Sequence, residues 1–388
     1  MTGQKSQFPI YLLAVIGDFN YSLLLVLSVI YASMFGASST EIGLIGGAYG
    51  ITYLFMPMVL GRLSDYFPRK FGLLIGVFFQ ILSSVYVIFT HSIFGLILCQ
   101  IFMGIAYGFY WPNIEAILSE SSRSEREHSE SISNFCLSWS IGFTLGPLLA
   151  GIFSDMNVFM GFLLCLSLYS FSFIIVIIFI EKKEARKYSK EQSTVKQNDT
   201  IKSSSVDKLQ IILHLSILVY SILVKIILSY FPSYAVLPNG LGLTGSITGT
   251  ILFLFGLGRT IFFVIGRFFR SNMTSIRNNF LIFSIFFILI PIMKNVIVIS
   301  IVFGIFGFFI GRQYLFSLNL LLEHEKERKG AKAGIFESFI GFGTIFSPII
   351  AGSIAEFNNI LPFYIFSALA FVVFGVVFIM LRLIKKKD

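Results

Sequence analysis

Apolar residues run through this chain in long blocks, separated by short polar stretches rather than alternating with them. Successive blocks cover Ile10–Met34, Glu41–Leu60, Phe71–Thr90, Ile93–Leu118, Ile132–Phe153 and Phe159–Ile180. After a polar stretch come Leu209–Leu237, Thr244–Ile265, Asn279–Met293, Val296–Leu322, Ala331–Ala355 and Ile360–Leu383. A helix needs about 20 mostly uncharged residues to cross a bilayer, so the pattern predicts twelve spanning helices, with segments two and nine the least sharply bounded. Ile10–Met34 is too long for the core of a cleaved signal peptide and is read as the first of these spans.

Composition agrees with the pattern. The 388 residues are 56% apolar and only 13% charged, with 46 Phe, where a soluble protein carries about 25% charged residues. Too little polar surface remains to cover a soluble globule, so much of the apolar surface must face lipid. Cys99, Cys136 and Cys165 sit inside apolar segments without ligand spacing, which reads as small apolar filler rather than disulfide or metal chemistry.

The net charge of +9 reports topology rather than nucleic-acid binding. Of the 29 Lys and Arg, all but Lys225, Arg259, Arg312 and Lys294 fall before segment one, in alternate connections or the tail, or, for Lys332 and Arg382, within two residues of the segment end beside them. The positive-inside bias then puts both termini in the cytoplasm. The stretch 182–208, rich in Lys, Ser, Gln and Glu, reads as a cytoplasmic linker. It separates a six-helix unit at 1–181 from a second at 209–388.

The two units repeat one another. Ile141–Gly151 aligns with Phe342–Gly352 at an offset of 201, retaining Gly142/Gly343, Pro147/Pro348, Ala150/Ala351 and Gly151/Gly352. An offset of 205 places Gly61-Arg62 on Gly266-Arg267. Repeated bundles that rock around a central cavity give alternating access.

The run Gly61-Arg62-Leu63-Ser64-Asp65-Tyr66-Phe67-Pro68-Arg69-Lys70 resembles the signature loop of the major facilitator superfamily, departing from it at Tyr66 and Pro68. The resemblance covers essentially the whole chain and implies an all-α membrane protein of twelve transmembrane helices in two six-helix bundles. It also implies a cytoplasmic gate, in which Asp65 lies near the N-terminus of segment eleven and Arg69 pairs with an acid that Glu120 matches. The packing motif Gly142-x-x-x-Gly146-Pro147-x-x-Ala150-Gly151 is similar to one associated with the exporter and antiporter branches. Gln100 stands where the family's intramembrane arginine is found, which argues against that route of proton transfer.

Charges inside membrane helices are costly and mark pathways. Asp18, Glu115, Lys225, Arg259, Arg312 and Glu337 lie within segments. None is in segments three, six, nine or twelve, which the resemblance implies are peripheral. Asp18 is the candidate proton-coupling group. Arg259 and Arg312 either bind an anionic substrate group or pair with Asp18 or Glu337, and Lys225 either lines the cavity or snorkels. Tyr21, Tyr107, Tyr110 and Trp111 offer stacking surfaces, and Gln313 and Tyr314 offer hydrogen bonds. Glu115 and Glu337 also suit a gate.

No Gly-Lys dipeptide occurs, which excludes a phosphate loop of the G-x-x-x-x-G-K-[ST] type, and no His pair has metal-ligand spacing. The expectation is therefore not an enzyme but a secondary transporter of a small molecule, without cofactor or nucleic acid. It would act as a monomer in the cell membrane, exchanging amphiphilic organic compounds for protons in the export direction. Uptake or exchange of a small organic anion or other metabolite is the alternative.

Overall fold

The computed structural model describes residues 7–63, 68–121, 125–181, 204–323 and 329–385. The described residues form thirteen α-helices. The first set is α1 (Phe8–Met34), α2 (Ser39–Leu63), α3 (Arg69–Phe89), α4 (Ile93–Ser121), α5 (Glu125–Met156) and α6 (Val158–Phe179). The second is α7 (Ser204–Ser229), α8 (Phe231–Val236), α9 (Gly245–Ile265), α10 (Met273–Leu289), α11 (Val296–Glu323), α12 (Lys329–Ala355) and α13 (Leu361–Lys385). Among the described residues, ten stretches are long and apolar enough to cross a membrane, with α7 and α8 joined as one of them across a break at Tyr230. Segments two and nine stand apart from the ten: the side chains of α2 beyond Met56 lie outside the described residues, and α10 has only 17 residues.

Helix ends follow local chemistry. Pro9 occupies the first turn of α1, and Gly36 adopts φ 74° just past its end, a conformation that costs glycine little. Ser38 and Glu41 form a capping box at α2, with Ser38 N donating to Glu41 Oε2 at 2.8 Å and Glu41 N to Ser38 Oγ at 3.3 Å. Asn157 and Asn272 cap α6 and α10 through their side-chain oxygens.

Burial sorts the helices. The apolar window of α1 is 83% enclosed by protein and that of α13 only 28%, so α1 is central and α13 peripheral. Large apolar side chains such as Phe78, Phe179, Ile297 and Phe371 are exposed, which suits a lipid-facing surface. The three cysteines are free thiols, Cys99 and Cys165 buried and Cys136 partly so.

The internal repeat has a geometric counterpart. On α5, a Cβ at Gly142 would meet Val15 O, and one at Gly146 would meet Phe19 O, so these glycines seat α5 on α1 within the first set. Gly151 faces the other way, against Gly245 and Gly249 of α9. On α12, Gly343 likewise seats against Ser221 of α7 within the second set, and Gly352 turns to Ser39 and Gly43 of α2. Pro147 and Pro348 lie inside their helices and present backbone or ring to Gly249 and to Gly43 and Gly46. Two seams, α5 with α9 and α2 with α12, thus join the sets by backbone contact.

These positions respond differently to bulk. Gly146→Val is expected to lower the melting temperature by several degrees, because overpacking a fixed contact costs about 1–3 kcal/mol. Gly249→Val lies in a seam between the sets, and its expected effect is faster amide exchange over the start of α9 with a smaller change in melting temperature. Exchange mass spectrometry and a melting curve on each variant check the contrast.

Candidate functional site between the two sets of helices

Both seams run from the end of the bundle away from the chain termini, the distal end, toward its middle. There the charged segments converge. Asp18 of α1 is 9% exposed, Lys225 of α7 8% and Arg259 of α9 1%. The acid belongs to the first set and both cations to the second, and Arg259 and Lys225 are the charges that act on Asp18.

Each cation reaches across to the first set. Lys225 Nζ donates a hydrogen bond to the Tyr21 hydroxyl. It also stands 4.7 Å from the Tyr21 ring centre and 5.1 Å from that of Tyr49, so it is buried among aromatics instead of snorkelling to the surface. The Arg259 guanidinium carbon lies 4.1 Å from the ring centre of Phe143 and 5.1 Å from that of Trp139, both on α5. Such contacts offset part of the cost of a buried cation. Tyr220 is within hydrogen-bonding reach of the same guanidinium, yet Arg259 Nε and Nη2 have no hydrogen-bond partner. A guanidinium presents its donors as a rigid fork suited to a carboxylate or phosphate, and two of these donors are unused here.

The walls are aromatic. Tyr21 packs against Tyr49 and Tyr107, with ring centres 4.6 and 5.6 Å apart, and Tyr49 stacks on Tyr53 at 5.1 Å. On the second side Tyr314 meets Trp139, Tyr220 and Phe263. Next to Arg259 on α9, Thr260 shares hydrogen bonds across the α5–α9 seam with Ser140 at 2.8 Å and Thr144 at 3.0 Å.

Several candidate residues are committed to packing between helices or stand elsewhere. Tyr107 is fully buried, its hydroxyl donating to Gly17 O at 2.5 Å, and the Tyr110 hydroxyl donates to Leu13 O at 2.8 Å. Both hydroxyls are used in joining α4 to α1. Trp111 packs on Tyr107 and Phe135. Arg312 donates through Nε and Nη2 to Asn279 Oδ1, at 2.9 Å from Nε, and Asn279 Nδ2 donates to Gln313 Oε1 at 2.7 Å. Arg312 and Gln313 therefore bind α11 to α10 and are not brought together with Asp18. Glu115 is an exposed residue of α4. Arg69 is the first residue of α3 and Gly61 lies in α2, whereas Asp65 and the side chains of Glu120 and Glu337 lie outside the described residues. Tyr49, Trp139, Phe143, Tyr220 and Thr260 join the site without having been sequence candidates; each is uncharged, and only its partner gives it meaning.

At the distal end, acids close each seam. Asp155, near the end of α5, accepts from Gly245 N at 2.8 Å through Oδ1 and from Ser246 N at 2.7 Å through Oδ2. Glu356, just beyond α12, accepts from Thr40 N at 2.8 Å. Hydrogen bonds from Thr40, Ser38 and Ser39 hold the Glu356 carboxyl below the usual range. Ser33 Oγ donates to Ser233 Oγ at 2.9 Å, also between the sets.

An integral membrane protein built this way, with a buried acid on one set of helices and two buried cations on the other, has the form of a carrier. A model of the Major Facilitator Superfamily matches residues 8–324, and the chain belongs to that family of transporters. It is 25% identical to an uncharacterized MFS-type transporter of Methanocaldococcus jannaschii, over 96% of this chain and 97% of that one. It is also 22% identical to the quinolone resistance protein NorA of Staphylococcus aureus, over 97% and 96% of the two chains. Among solved structures, a POT family transporter in complex with 5-aminolevulinic acid superposes with a TM-score of 0.79 at 15% identity, over 98% of each chain. That likeness concerns the fold.

Proposed function

We propose that this chain is a secondary active transporter working by alternating access, which exports amphiphilic organic compounds and couples their movement to protons through Asp18. The observation that carries this reading is the division of buried charge: Asp18 on the first set, Lys225 and Arg259 on the second. Rocking one set against the other changes the distance between the acid and its cations, and so the acid's hold on a proton. In this reading residues 1–181 and 209–388 move as two bundles joined by 182–208. α2 and α10 complete twelve spans, and the monomer sits in the cell membrane with both termini cytoplasmic. Export is the direction favoured by the relationship to NorA, whose name records resistance to quinolones. Substrate stacks on Tyr21, Tyr49 and Trp139 in the opened seam, and Asp65, Arg69 and Glu120 gate the cytoplasmic side.

A second reading, uptake or exchange of a small organic anion, is favoured by the orphaned Nε and Nη2 donors of Arg259. The formal charge of the trio is +1 with Asp18 ionised, which leaves room for one anionic group. The two readings differ in sign. A cation competes with the proton for Asp18, so the two move in opposite directions, whereas an anion on Arg259 and a proton on Asp18 favour one another and move together.

The test is transport by the purified protein in proteoliposomes with an imposed pH gradient, using a fluorescent organic cation and an organic carboxylate. Cation moving against the proton flow supports exchange export, and carboxylate moving with it supports the second reading. Rates for both probes that ignore the gradient overturn proton coupling.

A further inference from the structure

The distal acids share a relationship that the central site does not require. Asp155 and Glu356 are 201 positions apart, the same offset that relates Pro147 to Pro348 and Gly151 to Gly352. Their receivers are related too: Thr40 and Gly245 differ by 205, the offset that relates Gly61-Arg62 to Gly266-Arg267. Each acid leaves the end of a helix in its own set and bonds to the first turn of a helix in the other set, α9 for Asp155 and α2 for Glu356. A carboxylate at a helix N-terminus satisfies amides that have no partner within the helix and meets the positive end of its dipole.

Below each acid the seam consists of glycine backbone, Gly151 against Gly245 and Gly249, and Gly352 against Gly43. At these points the helices meet without interlocking side chains, so the specific bonds at the edge add grip there. We propose that Asp155 and Glu356 are a matched pair of latches, each clamping a helix N-terminus of the opposite set, and that both are released when the distal end opens. This rests on the alternating-access reading above. The two acids are positioning residues for the transport cycle and touch no substrate.

Amide exchange in the full-length protein tests the pair. Asp155→Asn and Glu356→Gln keep shape and remove charge, and Asp155→Glu is the conservative control. If the acids are latches, Asp155→Asn speeds exchange on the order of tenfold over the start of α9 and also over the start of α2, which it does not touch. Glu356→Gln does the reverse, the double variant exceeds either single one, and Asp155→Glu stays near the wild type. Exchange that rises only in the helix directly capped, or that does not change, overturns the latch and leaves local capping. Asp155 and Glu356 are both exposed, so neither variant is expected to prevent folding. Wild-type transport in proteoliposomes reports separately on alternating access: transport together with purely local exchange removes the latch alone, and absence of transport removes the reading beneath it.

Discussion

Asp18→Asn is expected to abolish accumulation driven by a pH gradient while leaving substrate exchange at equal pH within several-fold of the wild type. Asn preserves the shape of a side chain that is 9% exposed but carries no titratable proton. Asp18 is also the counter-charge for Lys225 and Arg259, and breaking a buried charge arrangement on one side costs about 3–5 kcal/mol, so the variant should melt earlier. Removing one charge of each sign, in Asp18→Asn with Lys225→Met, should return much of that stability without restoring proton-driven accumulation. A melting curve and a gradient-driven uptake assay on the same preparations separate the two effects. Wild-type accumulation in Asp18→Asn would exclude this acid as the coupling group.

Arg259 carries the second large expectation. Arg259→Lys keeps the charge but loses the fork that leaves Nε and Nη2 free above Phe143 and Trp139. Hydrogen bonds to a charged group contribute about 1.5–3 kcal/mol, so an organic carboxylate should bind roughly tenfold to a hundredfold more weakly to Arg259→Lys and to Arg259→Gln. Its neutral amide analogue should bind all three proteins alike. Thermal stabilisation by the two ligands measures this, since a ligand that binds the native state raises apparent stability. Equal losses for carboxylate and amide would mean that Arg259 holds the walls together and not the ligand.

Much of this architecture was legible in the chain because the bilayer forces it into the open. A spanning helix must be long, apolar and internally bonded, so hydropathy marks it directly, and among the described residues it is weakest where α10 is short. The central charges were legible for the same reason, since Asp18, Lys225 and Arg259 stand out against lipid-like sequence. Which way a charge points was not. Arg312 looked equivalent to Arg259, but it faces Asn279 on α10, and hydropathy has no term for rotation about the helix axis. The aromatics of the site were hidden among 46 Phe and 16 Tyr, and Tyr49 and Trp139 became visible only through the cations they meet. The distal acids escaped because the positive-inside rule weighs bases and nearly ignores acids. The repeat alignment stops at Gly151 and Gly352, four residues short of Asp155 and Glu356.

The glycine lining of the seams bears on how small a signal can turn the protein over. Ordering a long side chain at an interface costs about 0.5–1.5 kcal/mol, and contacts made by Gly43, Gly245, Gly249 and Gly352 order almost none. Closing such a surface therefore incurs little entropic penalty, and parting it forfeits little. A pair of states separated by so shallow a difference can be repopulated by a ligand with only a few kcal/mol of preference, since about 5.5 kcal/mol suffices to invert a 99:1 ratio. In the proposed cycle, glycine at these points of the seams lowers the cost of parting the sets, so that a modest substrate preference goes further in shifting their balance.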